Sequence, residues 1–446
     1  MSLRCCVFTA FWVAFLLPEI VFSQSSLLQS GPMLGYAEQK EVLLWAQTKK
    51  AATVQFDYWD LEKPAVIHRT AKVRTEKATA FTAKCIADEL EPGRSYGYLL
   101  RINGKRVKLP YPTTFKTQTL WQWRTDPPAF TLATGSCFYV NETPYDRPGK
   151  PYGSDYQIMT SLAKEKPDLM LWLGDNTYTR EPDWATRLGM LRRYTHTRSL
   201  PELQPFLAST NHYAIWDDHD YGPDDSDGNW IMKDTSWEVF KAFWGNPSYG
   251  LPGQKGCTTY FKYNDVDFFL LDDRYFRTPN YCKTCERTQL GEEQLEWLIG
   301  SLANSRAPFK IVATGGQVLT TNRANETYIN FSPAERDTLL ARIEREKIKG
   351  VIFLTGDRHF TELSAMKNAN GNWVYDLTAS SLTAGSFTEA ATKTQNDYRV
   401  EGTVVAQHNY ALLRFSGPRT DRQLDISVHD ADGRELWKKT IKASEL

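Results

Sequence analysis

Leu169-Met-Leu-Trp-Leu-Gly-Asp-Asn-Thr-Tyr178 is the stretch of this 446-residue chain that decides its fold. Its apolar run, 169–173, ends at Gly174 and is followed at once by Asp175. Such a short apolar run is typical of a buried strand in a parallel sheet. Ligands of open α/β sheets bind at the carboxyl ends of the strands. We therefore expect Asp175 and Tyr178 to lie at a functional site.

Two further stretches end in the same way. Val351-Ile-Phe-Leu-Thr-Gly-Asp-Arg-His359 is an apolar run followed by a glycine, Asp357 and His359. His212-Tyr-Ala-Ile-Trp-Asp-Asp-His-Asp220 is an apolar run followed by an Asp-Asp-His-Asp sequence. Aspartate and histidine are metal ligands, and a carboxylate can bridge two ions. Three strand ends of this kind predict a metal centre rather than core packing.

Within these stretches, Asp175 and Tyr178 form the most specific pair. A Gly-Asp-x-x-Tyr turn can direct a bridging carboxylate and a phenolate into one site, whereas alone it would equally suit a turn-forming aspartate beside a packed tyrosine. Asp218 and His219 supply a carboxylate and an imidazole, and Asp217 is expected to accept hydrogen bonds behind them. The acidic segment 224–227 has the oxygen density of a calcium site, but a solvated loop explains it better.

Cys137 and Arg274 each allow two interpretations. Cys137 follows a predicted strand with Gly-Ser before it; it is a buried apolar residue or a thiolate ligand for iron. Arg274 follows an apolar strand in Leu271-Asp-Asp-Arg-Tyr-Phe-Arg277. Its guanidinium suits an oxyanion or an ion pair with Asp272 or Asp273.

The order of predicted elements indicates two domains after a processed leader. Residues 1–23 carry Arg4, an apolar stretch and then Val21-Phe-Ser23, with small residues at the positions that a signal peptidase reads, as a secretory signal does. Residues 24–120 predict a small all-β sandwich that folds on its own, with strands at 42–47, 53–58, 78–83 and 95–102. A linker, 121–128, ends in two prolines. From 129 to 446 strands and helices alternate, as in an α/β domain.

Composition gives information about the cellular compartment of the protein and about its possible partners. Lys+Arg and Asp+Glu are each 53, so the zero net charge does not indicate a nucleic acid or an anionic membrane. No apolar stretch is long enough for a comfortable membrane span. We expect an exported monomer, periplasmic or extracellular. In an oxidising compartment Cys282 and Cys285 favour a local disulfide over half of a zinc site, which would need a second pair of ligands.

Taken in order, these motifs resemble the PhoD-like alkaline phosphatases of the metallophosphoesterase superfamily, which are similar to purple acid phosphatases at the metal site. The resemblance rests on Gly-Ser-Cys137, Gly-Asp175-Asn-Thr-Tyr178, Trp-Asp-Asp218-His219-Asp, Leu-Asp-Asp-Arg274-Tyr-Phe-Arg and Gly-Asp357-Arg-His359. It covers most of residues 30–446. It implies a four-layer α/β/β/α catalytic domain preceded by a small sandwich of the fibronectin III or immunoglobulin type.

The resemblance also implies a site and an activity. The metal positions of the family fall on Cys137, Asp175, Tyr178, Asp218, Asp357 and His359, holding Fe³⁺ and Ca²⁺, with Zn²⁺ or Mn²⁺ as alternatives. His219 matches the histidine that handles the leaving group, and Arg274 is expected to offset charge on the phosphoryl oxygens. The expected enzyme is a secreted phosphatase that hydrolyses small-molecule phosphate monoesters by attack of a metal-bound hydroxide. Phosphodiesterase or phospholipase D-type activity, and a non-enzymatic calcium-dependent binding protein, remain as alternatives.

Overall fold

The computed structural model describes residues 27–324 and 326–446, apart from the side chains of residues 390 and 392. The expected signal sequence lies outside these residues. The N-terminal part of the described chain is built from β1 (Leu28–Ala37), β2 (Val42–Thr48), β3 (Thr53–Asp60), β4 (His68–Arg69), β5 (Val73–Arg74), β6 (Thr82–Ala87), β7 (Ser95–Ile102), β8 (Lys105–Arg106) and β9 (Thr114–Lys116).

The rest of the chain alternates strands and helices. Its strands are β10 (Phe130–Gly135), β11 (Leu169–Leu173), β12 (Asn211–Ile215), β13 (Thr259–Tyr263), β14 (Val266–Leu270), β15 (Phe309–Ala313), β16 (Val351–Thr355), β17 (Glu362–Lys367), β18 (Trp373–Thr378), β19 (Asn409–Ser416), β20 (Gln423–Asp430) and β21 (Glu435–Lys442). Its helices are α1 (Gln157–Glu165), α2 (Glu181–Trp184), α3 (Arg187–Arg198), α4 (Gln204–Ser209), α5 (Asp218–Tyr221), α6 (Lys233–Phe243), α7 (Glu292–Asn304), α8 (Tyr328–Phe331), α9 (Pro333–Arg345) and α10 (Thr388–Lys393).

Two sheets stack face to face in the part of the chain that the resemblance implies is catalytic, which is called the catalytic part below. The first runs β21-β20-β19-β10-β11-β12-β1-β2-β6 and the second runs β13-β14-β15-β16-β18-β17. Side chains alternate along the second sheet: Phe268 and Ile311 belong to the core shared with the first sheet. Phe269 and Val312 point the other way, into a core with α7 and α9. Helices α1, α3, α4 and α6 cover the opposite face of the first sheet, so the predicted four-layer α/β/β/α architecture is confirmed.

The N-terminal sandwich has its own core but shares a sheet with the catalytic part. A second small sheet, β4-β3-β7-β8 with β5 and β9, packs on β1, β2 and β6. Yet Leu34 of β1 pairs in parallel with Asn211 of β12. On the other face of β2, Trp45 lies in the catalytic core and donates a 2.8 Å hydrogen bond to the carbonyl of Ala242. Independent folding of residues 24–120 stays a prediction.

Two element predictions were wrong, each for a local backbone reason. The strand expected at 78–83 starts only at Thr82, because Ala80 and Phe81 adopt left-handed φ values of 52° and 59° that end the extended run. The sequence pattern over 183–196 predicts one amphipathic helix, but the structure divides this stretch between α2 and α3. The division falls at Thr186, an extended residue whose side chain caps α3 by accepting from the Gly189 amide.

No helix in the described part of the chain has the length and apolarity to cross a membrane. The local disulfide prediction is confirmed, because Cys282 and Cys285 are bonded to each other. Cys85, Cys137 and Cys257 are buried free thiols.

Candidate metal centre

Five of the six predicted ligands lie on turns at the carboxyl ends of strands β10, β11 and β16, and the sixth, Asp218, follows β12. Cys137, Asp175, Asp357 and His359 all have left-handed backbones, with φ between 53° and 63°. Non-glycine residues adopt this region at an energetic cost, and such strain accumulates at functional sites because surrounding structure must maintain it. The strained turns therefore coincide with the predicted site.

Glycines in the same motifs let the strand ends approach one another. A Cβ on Gly356, after β16, would lie 2.7 Å from the side chain of Ser136 and 2.8 Å from the carbonyl oxygen of Leu173. A Cβ on Gly174 would lie 2.6 Å from that of Asp217. Only glycine permits these contacts, and the Gly356 contact joins the second sheet to the first. The glycine of each Gly-Asp motif is thus what brings its aspartate to the common centre.

Cys137, Asp175 and His359 form the first potential ligand group. Their Sγ, carboxylate and imidazole atoms all lie within 4.8 Å of one another. The Tyr178 hydroxyl is directed at the same point, 3.0 Å from Asp175 Oδ2 and 3.4 Å from His359 Nε2. These four residues come from three separate strand ends, and together they offer a sulfur, a carboxylate, a phenol oxygen and an imidazole nitrogen.

The orientation of His359 is set by its surroundings. Its Nδ1 lies against the carbonyl oxygen of Gly385 in a close hydrogen bond, which places the proton on that nitrogen. Phe387 stacks on the ring at 4.4 Å between centroids. The Nε2 lone pair is thereby left facing Tyr178 and Asp175, as a metal-binding imidazole requires.

Asp175, Asp218 and His219 form the second group, whose ligand atoms also lie within 4.8 Å of one another. Asp175 belongs to both groups, as a bridging carboxylate would. Asp218 begins α5, and its Oδ2 accepts a 2.7 Å hydrogen bond from the Asp225 amide. The His219 ring packs against Tyr178 at 4.2 Å between centroids with the rings tilted by 34°, and its Nε2 lies 3.3 Å from Asp224.

Asp357 is the most exposed of the predicted ligands, with 18% of its side chain accessible. It lines a cavity of about 200 Å³ together with Asp175, Asp218, His219 and His359. The structure therefore brings all six predicted metal positions, and His219, to one place.

Without a cation, burial disfavours charge at this centre. Burial raises the pKa of the Cys137 thiol to about 11 and that of Asp357 to about 6. Burial, and then the negative charge of Asp218, raise the pKa of Asp175 well above its usual range. A cluster of buried acids that repel one another gains most from a bound cation.

Two groups at the centre are affected differently. Burial opposes ionisation of Asp218 as well, but His219 and Arg274 outweigh it and hold its pKa below the ordinary value. Burial lowers the pKa of His219, whereas the negative charges of Asp218 and Asp224 oppose this shift and stabilise the imidazolium.

Arg274 is buried and does not line the cavity. Its Nε donates to Asp217 Oδ1 at 2.6 Å, and its Nη2 pairs with Glu326. These carboxylates are its nearest ion-pair partners, and of the two adjacent aspartates suggested by the sequence, Asp273 lies farther away, with Oδ1 3.9 Å from Nε. The Asp272 carboxylate instead accepts from the backbone amide of Arg274 at 3.0 Å. Nη2 lies 3.9 Å from Asp218, so the arginine sits behind one predicted ligand.

Several residues of the cavity were missed by sequence reasoning. Arg358, between Asp357 and His359, lines it, and its place inside a recognised motif could have revealed it. Tyr152, Glu326 and Phe387 also line it, but they lie on loops without a recognisable pattern. Asp224 and Asp225 line it as well, although the sequence favoured a solvated loop for their acidic segment.

Gln317, which follows β15, is held by hydrogen bonds to two strands of the second sheet, β17 and β18. Its Nε2 donates to Glu362 and Thr378 at 2.8 and 2.9 Å.

The sequence is similar to known phosphatases. A family model described as PhoD-like phosphatase matches residues 136–420, and a model described as a domain of unknown function matches residues 25–120. Alkaline phosphatase D of Bacillus subtilis is 24% identical over 353 residues, which cover 68% of this chain. The match spans 58% of the length of that relative.

Solved structures show the same fold. A PhoD structure superposes with a TM-score of 0.75 at 19% identity, covering 93% of this chain and 92% of that one. A purple acid phosphatase from yellow lupin (Lupinus luteus) seeds superposes with a TM-score of 0.67 at 13% identity, covering 93% and 75%.

Proposed function

Because this chain belongs to the PhoD-like phosphatase family, we propose that it is a metal-dependent phosphatase that hydrolyses phosphate monoesters at the centre between the two sheets. The observation that carries the proposal is the convergence of the two overlapping ligand groups, Cys137-Asp175-His359 and Asp175-Asp218-His219. A buried carboxylate common to two ligand groups is the arrangement that a two-metal hydrolase uses.

The donor atoms fit the metals that the family resemblance implies. Thiolate, phenolate, carboxylate and imidazole around Cys137 and Tyr178 suit Fe³⁺, and we propose iron there. The oxygen-rich side, with Asp218 and Asp357, suits Ca²⁺. Zn²⁺ and Mn²⁺ remain alternatives for either position. When bound, such ions polarise the phosphoryl group and lower the pKa of water.

Three residues near the metal centre are proposed to supply the proton for the leaving group and the positive charge for the phosphoryl oxygens. His219 lies at the rim of the cavity with 16% of its side chain accessible, where we propose that it gives a proton to the departing oxygen. Arg358 lines the same cavity and is placed to bind phosphoryl oxygens. Arg274 lies behind Asp218, and we propose that its positive charge offsets phosphoryl charge from there while holding Asp217 and Glu326 in place.

Metal-loaded protein tests the function directly. Release of phosphate from an aryl monoester should exceed hydrolysis of the corresponding diester. A preference for the diester would favour the phosphodiesterase alternative. Metal-loaded, folded protein that hydrolyses neither would favour a non-enzymatic calcium-dependent binding protein and refute the phosphatase proposal.

We also propose that the protein is exported as a soluble monomer, to the periplasm or to the outside of the cell. Its support is the signal-like sequence of residues 1–23. Expression of the full chain followed by N-terminal sequencing of the exported product should find cleavage after Ser23. Sedimentation of that product should give the mass of one chain.

A further inference from the structure

A larger cavity, of about 360 Å³, adjoins the metal centre. The two cavities share Tyr152, His219, Asp224 and Phe387 in their walls. His219 therefore stands at the junction between them. A group that leaves from phosphorus and takes its proton from His219 would extend from the metal centre into this second cavity.

The second cavity contains a buried arginine with unused hydrogen-bonding capacity. Arg180, two residues after Tyr178, is 6% exposed and lines the cavity. Its Nε is buried and has no hydrogen-bond partner among the described residues. Its Nη2 lies 3.7 Å from Glu181, which is a long ion pair. A buried guanidinium that is incompletely bonded is costly unless a ligand completes its contacts.

Two more cations face the same space. Arg147 and Lys150 line the cavity from the loop after β10, and neither forms an ion pair with any described residue. Two acidic residues also line it. Asp146 is already engaged, accepting from the Tyr139 hydroxyl and from the Glu142 amide, both at 2.6 Å. Asp224 lies beside His219. The positive charge in the cavity is thus in excess over carboxylates.

We propose that this cavity binds the leaving group of the substrate and that this leaving group carries an anionic group, which Arg180 binds with help from Arg147. The inference rests on the proposed phosphatase function and defines its substrate class: phosphate esters whose alcohol or phenol portion is itself negatively charged. Tyr139, Tyr152 and Phe387 provide flat apolar walls on which the body of the leaving group packs.

A third cavity, on the other side of Asp225 and Glu326, is less suited to this role. It contains Arg277 and Arg287 but not His219. Arg277 pairs with Glu326 at 2.8 Å. Arg287 donates to the carbonyl oxygens of Pro279 and Asn280. Its arginines are therefore already bonded within the protein, whereas the Nε of Arg180 has no hydrogen-bond partner among the described residues.

Two matched substrates test the inference: phenyl phosphate with a para carboxylate, and the same ester with a para carboxamide. The measured quantity is kcat/KM for the carboxylate ester divided by kcat/KM for the carboxamide ester, in wild-type protein and in Arg180→Gln. Comparing this ratio between the two proteins cancels the intrinsic reactivity of the esters. A charge-assisted hydrogen bond predicts that Arg180→Gln lowers the ratio about tenfold, mainly through KM for the carboxylate ester. Arg147→Gln, on an exposed loop, should lower it about two- to threefold.

Arg187→Gln is the control, because Arg187 pairs with Glu238 on the surface and does not line the cavity. It should leave the ratio unchanged. If both Arg180→Gln and Arg147→Gln hydrolyse the esters with the wild-type ratio, the anionic subsite is refuted and the phosphatase function stands. If Arg180→Gln does not fold, an unchanged ratio in Arg147→Gln is enough to refute it. Wild-type protein that hydrolyses neither ester refutes the phosphatase function itself.

Discussion

The hydroxyl of Tyr178 donates a 3.0 Å hydrogen bond to Oδ2 of Asp175, three residues earlier in the chain. Both side chains leave the same turn after β11, so the pair is formed locally. The hydroxyl also lies 3.4 Å from Nε2 of His359, on the second sheet. One short turn of the first sheet thereby places the oxygens of Asp175 and Tyr178 beside the Nε2 of His359, which belongs to the second sheet.

Replacing Asp175 with Asn, or His359 with Ala, should lower kcat on the order of 10³-fold or more while leaving the protein folded. Each change removes one ligand, and Asp175 belongs to both ligand groups. Turnover of a phosphate monoester and circular dichroism would be measured together. His68→Ala on the N-terminal sheet, where His68 pairs with Glu89, should retain full activity. Near-normal turnover in either site variant would refute the metal-centre assignment.

Iron-loaded protein should be coloured. A phenolate or thiolate bound to Fe³⁺ transfers charge to the metal and absorbs visible light, whereas Zn²⁺, a d¹⁰ ion, and Ca²⁺ give no such band. Tyr178→Phe and Cys137→Ser should each shift or bleach the absorption, and elemental analysis should find calcium beside iron.

Tyr139→Phe is the control for this experiment, because its ring packs 5.0 Å from that of Tyr178 while its hydroxyl bonds to Asp146. It should leave the spectrum intact. A colourless, fully active enzyme containing only zinc would contradict the iron proposal and return Cys137 to the role of a buried apolar residue.

Residues 24–120, expressed alone, should fold about their own core. Leu100 and Phe56 are fully buried there, and β3 and β7 pair along their length. The fragment should show protected amides in these strands, measured by hydrogen exchange. It should be less stable than in the whole chain, because Trp45 would lose its contacts with the catalytic core and become exposed to solvent. Leu100→Ala should lower its free energy of unfolding by about 2–5 kcal/mol. An unprotected fragment would show that the sandwich needs the catalytic sheet.

Glu38 should make the stability of the protein depend on pH. Burial, and then the charge of Glu41, raise the pKa of Glu38 from 4.5 to about 7 in the folded protein. Between these values the unfolded chain loses the proton and the folded chain keeps it, so stability falls as the pH rises through this window. Glu38→Gln should therefore raise Tm relative to wild type at pH 8 and less so at pH 4. Glu401→Gln, at an exposed position, is the control. Equal Tm differences at both pH values would contradict this explanation.

The site could be predicted from the sequence wherever a motif is continuous. The apolar runs before Cys137, Asp175, Asp218 and Asp357 identify buried strands, and the residues that follow each run must emerge at its carboxyl end. Parallel strands place those ends at one edge of each sheet. Local patterns therefore predicted that these side chains meet, whereas the full set of six ligands rests on the family resemblance and stays a prediction. Strands β17 and β18 were missed, because Glu362, Ser364 and Asp376 are buried polar residues that interrupt the apolar pattern.

Only the tertiary structure decided which distant groups meet. Asp217 and Glu326 became the partners of Arg274 because loops 57 and 52 residues away pack against it, and no periodicity encodes such a contact. The same holds for Trp45, which joins the sandwich to the catalytic core, and for Arg180, whose Nε is buried without a hydrogen-bond partner among the described residues. The amino-acid sequence determines which side chains stand at the end of each strand, because backbone geometry is local. The packing of the two sheets determines which of these side chains meet and how deeply they are buried, because charge and burial act through space.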